Sequence, residues 1–320
     1  MGADALRLGR LGYGAANLGN LHRALDDEAA WDVLETAWDL GIRYFDTAPH
    51  YGLGLSERRL GAFLRTKPRD EYVLSTKAGR LLRPTGEADP GLDTANDFQV
   101  PATHERVWDF SADGVRRSLD ESLERLGLDR VDVLYLHDPE RHDLASALAS
   151  GVPALAGLRD EGLVAAAGVG SMATGALLAA AETGELDLLM VAGRYTLVEQ
   201  PVRPAVLDAC ARHGVGIVNA SIFNSGLLAR VEPAADGRYE YGAVPADVLE
   251  RARAIAEECA RFGTTLPAAA LQYTLRDPLV RTVVVGASRA DQLRQNAQRM
   301  AEPIPVELWD ALAERQLIPA

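Results

Sequence analysis

The sequence predicts an α/β protein in which one closed (β/α)8 barrel, a TIM barrel, spans residues 1–320 as a single domain. Strand-like and helix-like segments alternate from one end of the chain to the other, and no Gly-rich linker divides them. The strand-like segments are short and nearly continuous in apolar residues, which is typical of parallel strands covered on both faces. Eight such strands alternating with helices favour a closed barrel over a doubly wound open sheet.

The eight predicted strands lie, in chain order, at residues 7–13, 42–46, 72–77, 131–137, 163–169, 187–192, 215–219 and 281–285. Apolar residues between the strands recur with the 3.6-residue period of amphipathic helices. In the first helix they stand at Ala30, Val33, Leu34, Ala37 and Trp38. Gly41 then occupies the position of a helix C′ residue. A second clear helix is predicted over 111–127, with Ser111 as its N-cap.

Two long polar segments interrupt this alternation. Residues 80–110 follow the third predicted strand and residues 221–245 follow the seventh. Long loops in a compact domain are usually functional covers or disordered segments. Because both segments follow the carboxyl ends of strands, we expect them to cover the mouth of the barrel.

The composition indicates a soluble cytoplasmic protein. With 33 basic and 46 acidic residues the net charge is −13, which argues against a nucleic-acid or anionic-membrane partner. Two cysteines, Cys210 and Cys259, lie in helix-like stretches, a usage typical of a reduced compartment. We find neither a signal-peptide pattern at the start of the sequence nor a run of 18 apolar residues.

Four polar side chains stand at or just beyond the ends of three predicted strands. Asp46 ends the second strand, and Tyr51 follows five residues later in a Gly-flanked loop. Lys77 ends the third strand and His137 ends the fourth. If these strands are neighbours, the side chains converge at the C-terminal mouth of the barrel. Lysine favours ionisation of the phenol, while the carboxylate orients the lysine and the histidine holds a substrate oxygen. Such a group can move a proton on or off an alcohol or carbonyl while another molecule carries the electrons.

Each of these residues taken singly has a simpler interpretation. Asp46 can cap the turn that follows it, and Tyr51 can be an ordinary loop aromatic. Lys77 can be a solvent-exposed strand end and His137 a structural histidine. Their joint occurrence at the ends of consecutive strands favours a catalytic site.

The strings that carry these residues resemble those of the aldo-keto reductase superfamily. They are GIRYFDTAPHYGLGLSERRLG, YVLSTKAGR and VDVLYLHDP, and the resemblance extends from LGYGAANLGN to VVVGASRADQLRQN. Within the superfamily, LLMVAGRYTLVEQ and GIVNASIFNSGLL resemble the bacterial branch of D-threo-aldose 1-dehydrogenases and pyridoxal 4-dehydrogenase. The resemblance implies a barrel that binds an extended nicotinamide dinucleotide without a Rossmann domain. The sequence has no G-x-G-x-x-G that opens a helix after the first strand.

The resemblance also implies the roles of individual residues. Tyr51 is the general acid/base, Lys77 lowers its pKa, Asp46 holds Lys77, and His137 orients the substrate oxygen. Trp108 joins Tyr51 and His137 among the substrate contacts. The implied cofactor contacts are Gly14, Asp46, Ser171, Ser221, Phe223, Asn224, Ser225, Gly226, Leu228, Gly286, Ser288, Arg289, Gln292 and Asn296. Ser288 and Asp291 are spaced as a capping box at a helix N-terminus, which is a natural phosphate site.

Several positions depart from the superfamily pattern. Gly286 and Gln292 stand where NADPH-preferring relatives have a lysine and an arginine, so the cofactor is NAD or NADP with a preference expected for NAD. Gln295 replaces a common glutamate. The positions that usually hold the nicotinamide carry Gly170-Ser171, Ala192 and Ala220.

The function that follows is NAD(P)-dependent oxidation of an aldose at C1 to a lactone. Pyridoxal 4-dehydrogenase and a generic aldehyde or ketone reductase are alternatives within the same class. A non-catalytic regulatory binding subunit is a third possibility. A metal-dependent hydrolase is the fourth, with Asp46, His50, His137, Asp138 and His142 as candidate ligands, although no H-x-H ends the first strand.

Overall fold

Parallel strands that are buried on both faces form the centre of the molecule. The computed structural model describes residues 6–240 and 242–319. Within those ranges, eight strands close into a barrel, which confirms the predicted fold class. They are β1 (Leu11–Gly14), β2 (Tyr44–Asp46), β3 (Val73–Ala78), β6 (Val133–His137), β7 (Ala166–Ser171), β8 (Leu188–Ala192), β9 (Gly216–Ala220) and β12 (Val280–Gly286). The numbers missing from this series belong to four short strands outside the barrel, whose bounds are given below. The order around the barrel is β1-β12-β9-β8-β7-β6-β3-β2, so β2, β3 and β6 are consecutive neighbours.

Helices surround the barrel. Their bounds are α1 (Asp27–Asp39), α2 (Leu55–Leu64), α3 (Ala112–Leu126), α4 (Leu144–Ser146), α5 (Val152–Asp160), α6 (Thr174–Glu182), α7 (Ala205–His213), α8 (Ala246–Arg261), α9 (Leu266–Tyr273), α10 (Ala290–Ala301) and α11 (Val306–Glu314). The predicted ends of α3 are confirmed, because Ser111 Oγ accepts from the Gly114 N–H at 3.0 Å and Gly127 follows in the left-handed region. Gly41 follows α1 with φ +79°, as its C′ position predicts.

Two apolar layers contain most of the core formed by the described residues. The larger lies between the helices and the outer face of the barrel and includes Leu34, Phe63 and Leu119. The smaller fills the barrel interior around Tyr44 and Tyr135, which are fully buried. Each fully buried aliphatic or phenylalanine side chain in these layers stabilises the fold by roughly 1.5–3 kcal/mol, and the packed interior leaves the mouth for chemistry.

Both long segments contain more structure than the sequence predicts. Residues 80–110 contain the antiparallel strands β4 (Arg80–Pro84) and β5 (His104–Trp108), which we call the mouth hairpin. Its connection is far longer than the two to five residues that make a hairpin recognisable in sequence. Residues 221–245 contain 3₁₀ turns within Asn224–Ala229 that are interrupted by a kink at Ser225 and Gly226. They also contain the short pair β10 (Arg238–Tyr239) and β11 (Gly242–Ala243).

The described helices are too short or too polar for a membrane span. No helix within residues 6–240 and 242–319 combines the length and hydropathy that a bilayer crossing requires. Cys210 and Cys259 lie in α7 and α8, and both are buried free thiols.

Candidate active site

The neighbouring strands β2, β3 and β6 bring the predicted polar side chains together at the C-terminal mouth. Lys77 Nζ donates to Asp46 Oδ2 at 2.6 Å and to the Thr47 carbonyl at 2.9 Å. Lys77 is only 2% exposed, so its charge acts on its neighbours with little screening by water. We call the group Asp46, Tyr51, Lys77 and His137 the proton-transfer group.

Tyr51 reaches the group from the loop after β2. Lys77 Nζ lies 4.8 Å from the centre of the Tyr51 ring, and the His137 ring meets that ring edge-on at 5.6 Å. A close backbone approach fixes the loop: a Cβ on Gly52 would lie 2.2 Å from the Gly19 carbonyl oxygen, and one on Gly19 would lie 2.5 Å from the Tyr51 carbonyl carbon. Both positions therefore require glycine, and together they set the height of the phenol above the barrel.

Desolvation dominates the ionisation of Tyr51. Desolvation raises the pKa of Tyr51 to about 12, and Lys77 opposes this rise without cancelling it. The expectation that Lys77 brings the pKa below the ordinary value is therefore wrong for the protein alone, because enclosure of the phenol outweighs the single nearby cation. Burial also acts to lower the pKa of Lys77, but attraction to Asp46 and Tyr51 outweighs it and the pKa is raised. Lys77 therefore remains charged at neutral pH.

His137 is neutral at the mouth. Burial and the nearby cations Arg80 and Lys77 hold the pKa of His137 well below its ordinary value. A neutral imidazole can donate a hydrogen bond to a substrate oxygen without carrying charge into the site. The structure therefore permits the predicted role of His137 in orienting the substrate.

A second layer of polar residues lies beneath the proton-transfer group and was missed from the sequence. Ser75 Oγ donates to Asp46 Oδ1 at 2.7 Å, so both carboxylate oxygens of Asp46 have partners. The Tyr44 hydroxyl lies 2.9 Å from Ser75 Oγ and 3.3 Å from the Tyr135 hydroxyl. Side chains two residues apart on a strand face the same way. This two-residue period could have identified the layer from the sequence. Tyr44 lies two residues before Asp46, Ser75 two before Lys77, and Tyr135 two before His137.

The mouth hairpin supplies an ion pair and an aromatic side chain. Arg80 Nη2 donates to Asp138 Oδ2 at 2.5 Å, and its guanidinium lies 4.5 Å from the centre of the Trp108 ring. Trp108 also stacks on His142 at 5.4 Å. Trp108 thus stands at the mouth, as its predicted substrate role requires, but its ring already contacts two protein groups.

The side of the mouth formed by β2, β3 and β6 is the first arc, and the rest of the mouth is the second arc. Most of the predicted cofactor contacts lie on the second arc. They occupy the ends of β1, β7 and β12, the loop after β9 and the first turns of α10. Ser171 Oγ donates to Glu140 Oε1 at 2.7 Å, while Glu140 Oε2 is buried without a hydrogen bond to the described residues. Glu140 is therefore a further polar group near this arc that sequence reasoning missed.

The capping box predicted at α10 is wrong by one residue. Arg289 is the N-cap, and its side chain makes no cap hydrogen bond. Gln292 Oε1 instead accepts the Ser288 N–H at 3.0 Å, because Gln292 is the third helical residue and reaches back over the first turn. Arg289 pairs with Asp291 at 2.9 Å, and both side chains are 53% exposed.

The loop after β9 fits a bound dinucleotide. Ser221, Asn224 and Ser225 have φ values of +55°, +45° and +56°, a left-handed conformation that is uncommon for non-glycine residues and often found at ligand sites. Asn224 Oδ1 is buried and makes no hydrogen bond to another described residue. This acceptor can be satisfied by a ligand group that donates, such as a ribose hydroxyl of the dinucleotide, whereas pyrophosphate oxygens only accept. The residues that would hold the pyrophosphate here are Ser221, Phe223, Asn224, Ser225, Gly226 and Leu228.

The candidate metal ligands do not form a centre in the described part of the chain. Within residues 6–240 and 242–319, no group of three or more His, Cys, Asp or Glu side chains is arranged to hold a metal ion. Asp46, one of these candidate ligands, forms an ion pair with Lys77.

Known proteins match the chain over nearly its whole length. The model of the aldo/keto reductase family matches residues 10–315. A D-threo-aldose 1-dehydrogenase from a Pseudomonas species is 62% identical over 318 residues, which cover 99% of this chain and 97% of that protein. A pyridoxal 4-dehydrogenase from Microbacterium luteolum is 35% identical over 333 residues, with 99% and 97% covered. The solved structure of a holo-form aldo-keto reductase from Bacillus halodurans has a TM-score of 0.76 at 25% identity and covers 100% of this chain and 95% of its own.

Proposed function

The chain belongs to the aldo/keto reductase family and is an NAD(P)-dependent oxidoreductase, and from that premise we propose that it oxidises an aldose at C1 to the corresponding lactone. The 62% identity to a D-threo-aldose 1-dehydrogenase carries the proposal for the substrate. The contact of Lys77 with both Asp46 and the Tyr51 ring supports the proposal for the chemistry. At 35% identity, pyridoxal 4-dehydrogenase gives less support to pyridoxal.

The proton-transfer group performs the half of the reaction that belongs to the protein. Ionised Tyr51 accepts the proton of the C1 hydroxyl, and Lys77 stabilises the phenolate before that transfer. Neutral His137 donates to the C1 oxygen and keeps it facing the phenol. A bound nicotinamide supplies the hydride acceptor for C1. Loss of one proton and one hydride converts the lactol carbon to the lactone carbonyl.

We also propose that the enzyme prefers NAD or discriminates weakly against NADP. A 2′-phosphate carries nearly two negative charges and is bound well by cations or several donors. The cation expected near it is Arg289, and Asp291 already pairs with that guanidinium. Gly286 and Gln292 add no positive charge.

The proposed setting is the cytoplasm. Two buried free thiols, Cys210 and Cys259, are compatible with a reducing compartment. The proposed partners are small molecules, because a net charge of −13 repels polyanions.

A substrate panel tests the proposal directly. The purified protein is mixed with L-fucose, L-galactose, D-arabinose or pyridoxal, each with NAD or NADP, and reduced cofactor is followed by its absorbance. We expect the highest kcat/KM with one of the aldoses and a lactone as the product. Turnover of pyridoxal with no turnover of any aldose would instead favour the alternative substrate.

A further inference from the structure

A second histidine lies at the mouth directly before Tyr51. The His50 ring lies 5.5 Å from the His137 ring and 6.1 Å from the Tyr51 ring, measured between centres. It also meets Phe98 edge-on at 5.3 Å. His50 therefore lies beside two members of the proton-transfer group, although that group makes no use of it.

The mouth hairpin holds this imidazole in one orientation. Arg106 Nε donates to His50 Nδ1 at 2.5 Å, and Arg106 Nη2 donates to the His50 carbonyl at 3.1 Å. Asp93 holds the guanidinium through two hydrogen bonds and is itself 6% exposed. Asn96 donates to Asp93 at 2.7 Å and completes the support. A histidine that only filled space would not need such a chain of partners.

The hydrogen bond from Arg106 Nε to His50 Nδ1 determines which nitrogen of the His50 ring carries the proton. Arginine Nε–H can only donate, so His50 Nδ1 must accept, and the neutral ring then has its proton on Nε2. Burial and the cations around the mouth, Arg80, Arg106, Arg141 and Lys77, lower the pKa of His50 to about 2. The ring thus remains neutral across the working range. Nε2 makes no hydrogen bond to another residue in the described part of the chain.

We propose that His50 is a specificity-determining residue whose Nε2–H donates a hydrogen bond to one hydroxyl oxygen of the sugar, at a ring carbon other than C1. The inference rests on the proposed aldose substrate and deepens it. Arg106 and Asp93 act as positioning residues, since they fix the tautomer without reaching the sugar. The mouth hairpin thereby contributes to substrate choice through a side chain on the loop after β2.

Monodeoxy analogues of the best aldose identify the hydroxyl that His50 contacts. The kcat/KM values of the parent sugar and of each monodeoxy analogue are measured for the wild type, His50→Phe and His50→Gln. Phenylalanine keeps a ring but removes the donor, whereas glutamine can place an amide N–H near the position of Nε2. His104→Phe is the matched control, because His104 lies at the far end of the mouth hairpin from Trp108 and contacts Thr103.

We expect one analogue to be a poorer substrate for the wild type by about tenfold, the range of a single neutral hydrogen bond. His50→Phe should abolish that difference and leave the penalties at the other hydroxyls in place. His50→Gln should keep part of the difference in kcat/KM between the parent sugar and that analogue, and His104→Phe should keep all of it. An unchanged penalty profile in His50→Phe would overturn the inference while leaving the proposed function intact. If the wild type oxidises no aldose, the proposed function fails and this inference fails with it.

The tautomer is measured independently of activity and of how well the variants fold. Long-range ¹H–¹⁵N spectra of the wild-type protein should show His50 Nδ1 unprotonated and Nε2 protonated. The Nε2 resonance should shift when the sugar is added to the protein with cofactor bound. A proton on Nδ1, or an Nε2 resonance unmoved by saturating sugar, would contradict the proposal.

Discussion

The two arcs of the barrel mouth are built differently. On one arc, β2, β3 and β6 hold Asp46 and Lys77 in a buried contact whose polar atoms are matched by protein partners. On the other arc, Asn224 Oδ1 is left without a partner and Arg289 is exposed beside Asp291. The first arc is assembled before any ligand arrives, while the second keeps unsatisfied groups that a ligand can complete. Proton transfer thus depends on preorganisation, and cofactor choice depends on a few surface charges.

The largest expected effect removes the phenol from the first arc. Tyr51→Phe should lower kcat by roughly 10²–10⁴-fold, because that is the usual contribution of a positioned proton carrier. Cofactor binding, followed by fluorescence titration, should remain close to wild type because the second arc is untouched. Tyr72→Phe is the control, since the buried Tyr72 hydroxyl has no partner in the described structure. Wild-type turnover by Tyr51→Phe would show that another group carries the proton.

The next change removes the cation that stabilises the phenolate. Tyr51 must be ionised to act as a base, and its pKa is about 12, so aldose oxidation should rise with pH through the alkaline range. Because Lys77 opposes the rise in this pKa, Lys77→Met should move the rising part of the pH–rate profile to still higher pH. The same substitution should lower kcat at pH 7 by roughly 10²-fold or more. The measurement is kcat against pH.

Lys67→Met is the matched control for that profile, because Lys67 lies outside the mouth and contacts the rings of Trp38 and Phe63. Lys77→Met also leaves the Asp46 carboxylate buried without its cation, which should lower the free energy of unfolding by about 3–5 kcal/mol. If kcat rises over the same pH range in Lys77→Met as in the wild type, the base does not depend on Lys77.

A smaller effect is expected from the layer beneath the proton-transfer group. Ser75→Ala removes one of the hydrogen bonds that orient Asp46 and one of the two partners of the Tyr44 hydroxyl. The free energy of unfolding should therefore fall by about 1–2 kcal/mol. kcat should fall by about two- to tenfold, since Lys77 still holds the carboxylate. Ser118→Ala is the control, because the buried Ser118 hydroxyl has no partner among the described residues. Equal effects of the two substitutions on kcat would deny this layer a positioning role.

The smallest effect concerns the second arc. Asp291→Asn frees Arg289 from its carboxylate, so the ratio of kcat/KM with NADP to that with NAD should rise by less than about fivefold, as is usual for one exposed ion pair. Arg289→Ala should lower the same ratio. A wild-type preference for NADP by about a hundredfold would instead require a phosphate-binding group elsewhere on this arc.

The sequence predicted the first arc better than the second for a physical reason. Asp46, Lys77 and His137 end strands whose positions follow from apolar periodicity, so the closed barrel brings them together without further information. Ser75 lies on the same face of β3 as Lys77 and could have been found from that period. The tautomer of His50 could not, because it depends on Arg106, which a long connection folds back across the mouth. The pKa of Tyr51 depends on how fully its surroundings exclude water, which local sequence does not specify.

The cap of α10 illustrates the same limit. Ser288 and Asp291 have the spacing of a capping box, yet the helix begins one residue later and Gln292 provides the contact. Propensity and spacing leave the position of a helix end undetermined by a residue or two.

Transfer of the label from the C1-deuterated form of the aldose with the highest kcat/KM tests the central claim most directly. The purified protein is incubated with this sugar and oxidised cofactor, and both products are analysed by mass spectrometry. We predict one deuterium in each reduced nicotinamide and an unlabelled lactone, because the C1 hydride moves to the cofactor while Tyr51 takes the hydroxyl proton. Tyr51→Phe should give the same label at a much lower rate. Reduced cofactor without deuterium, or no oxidation of any aldose in the panel, would contradict the account.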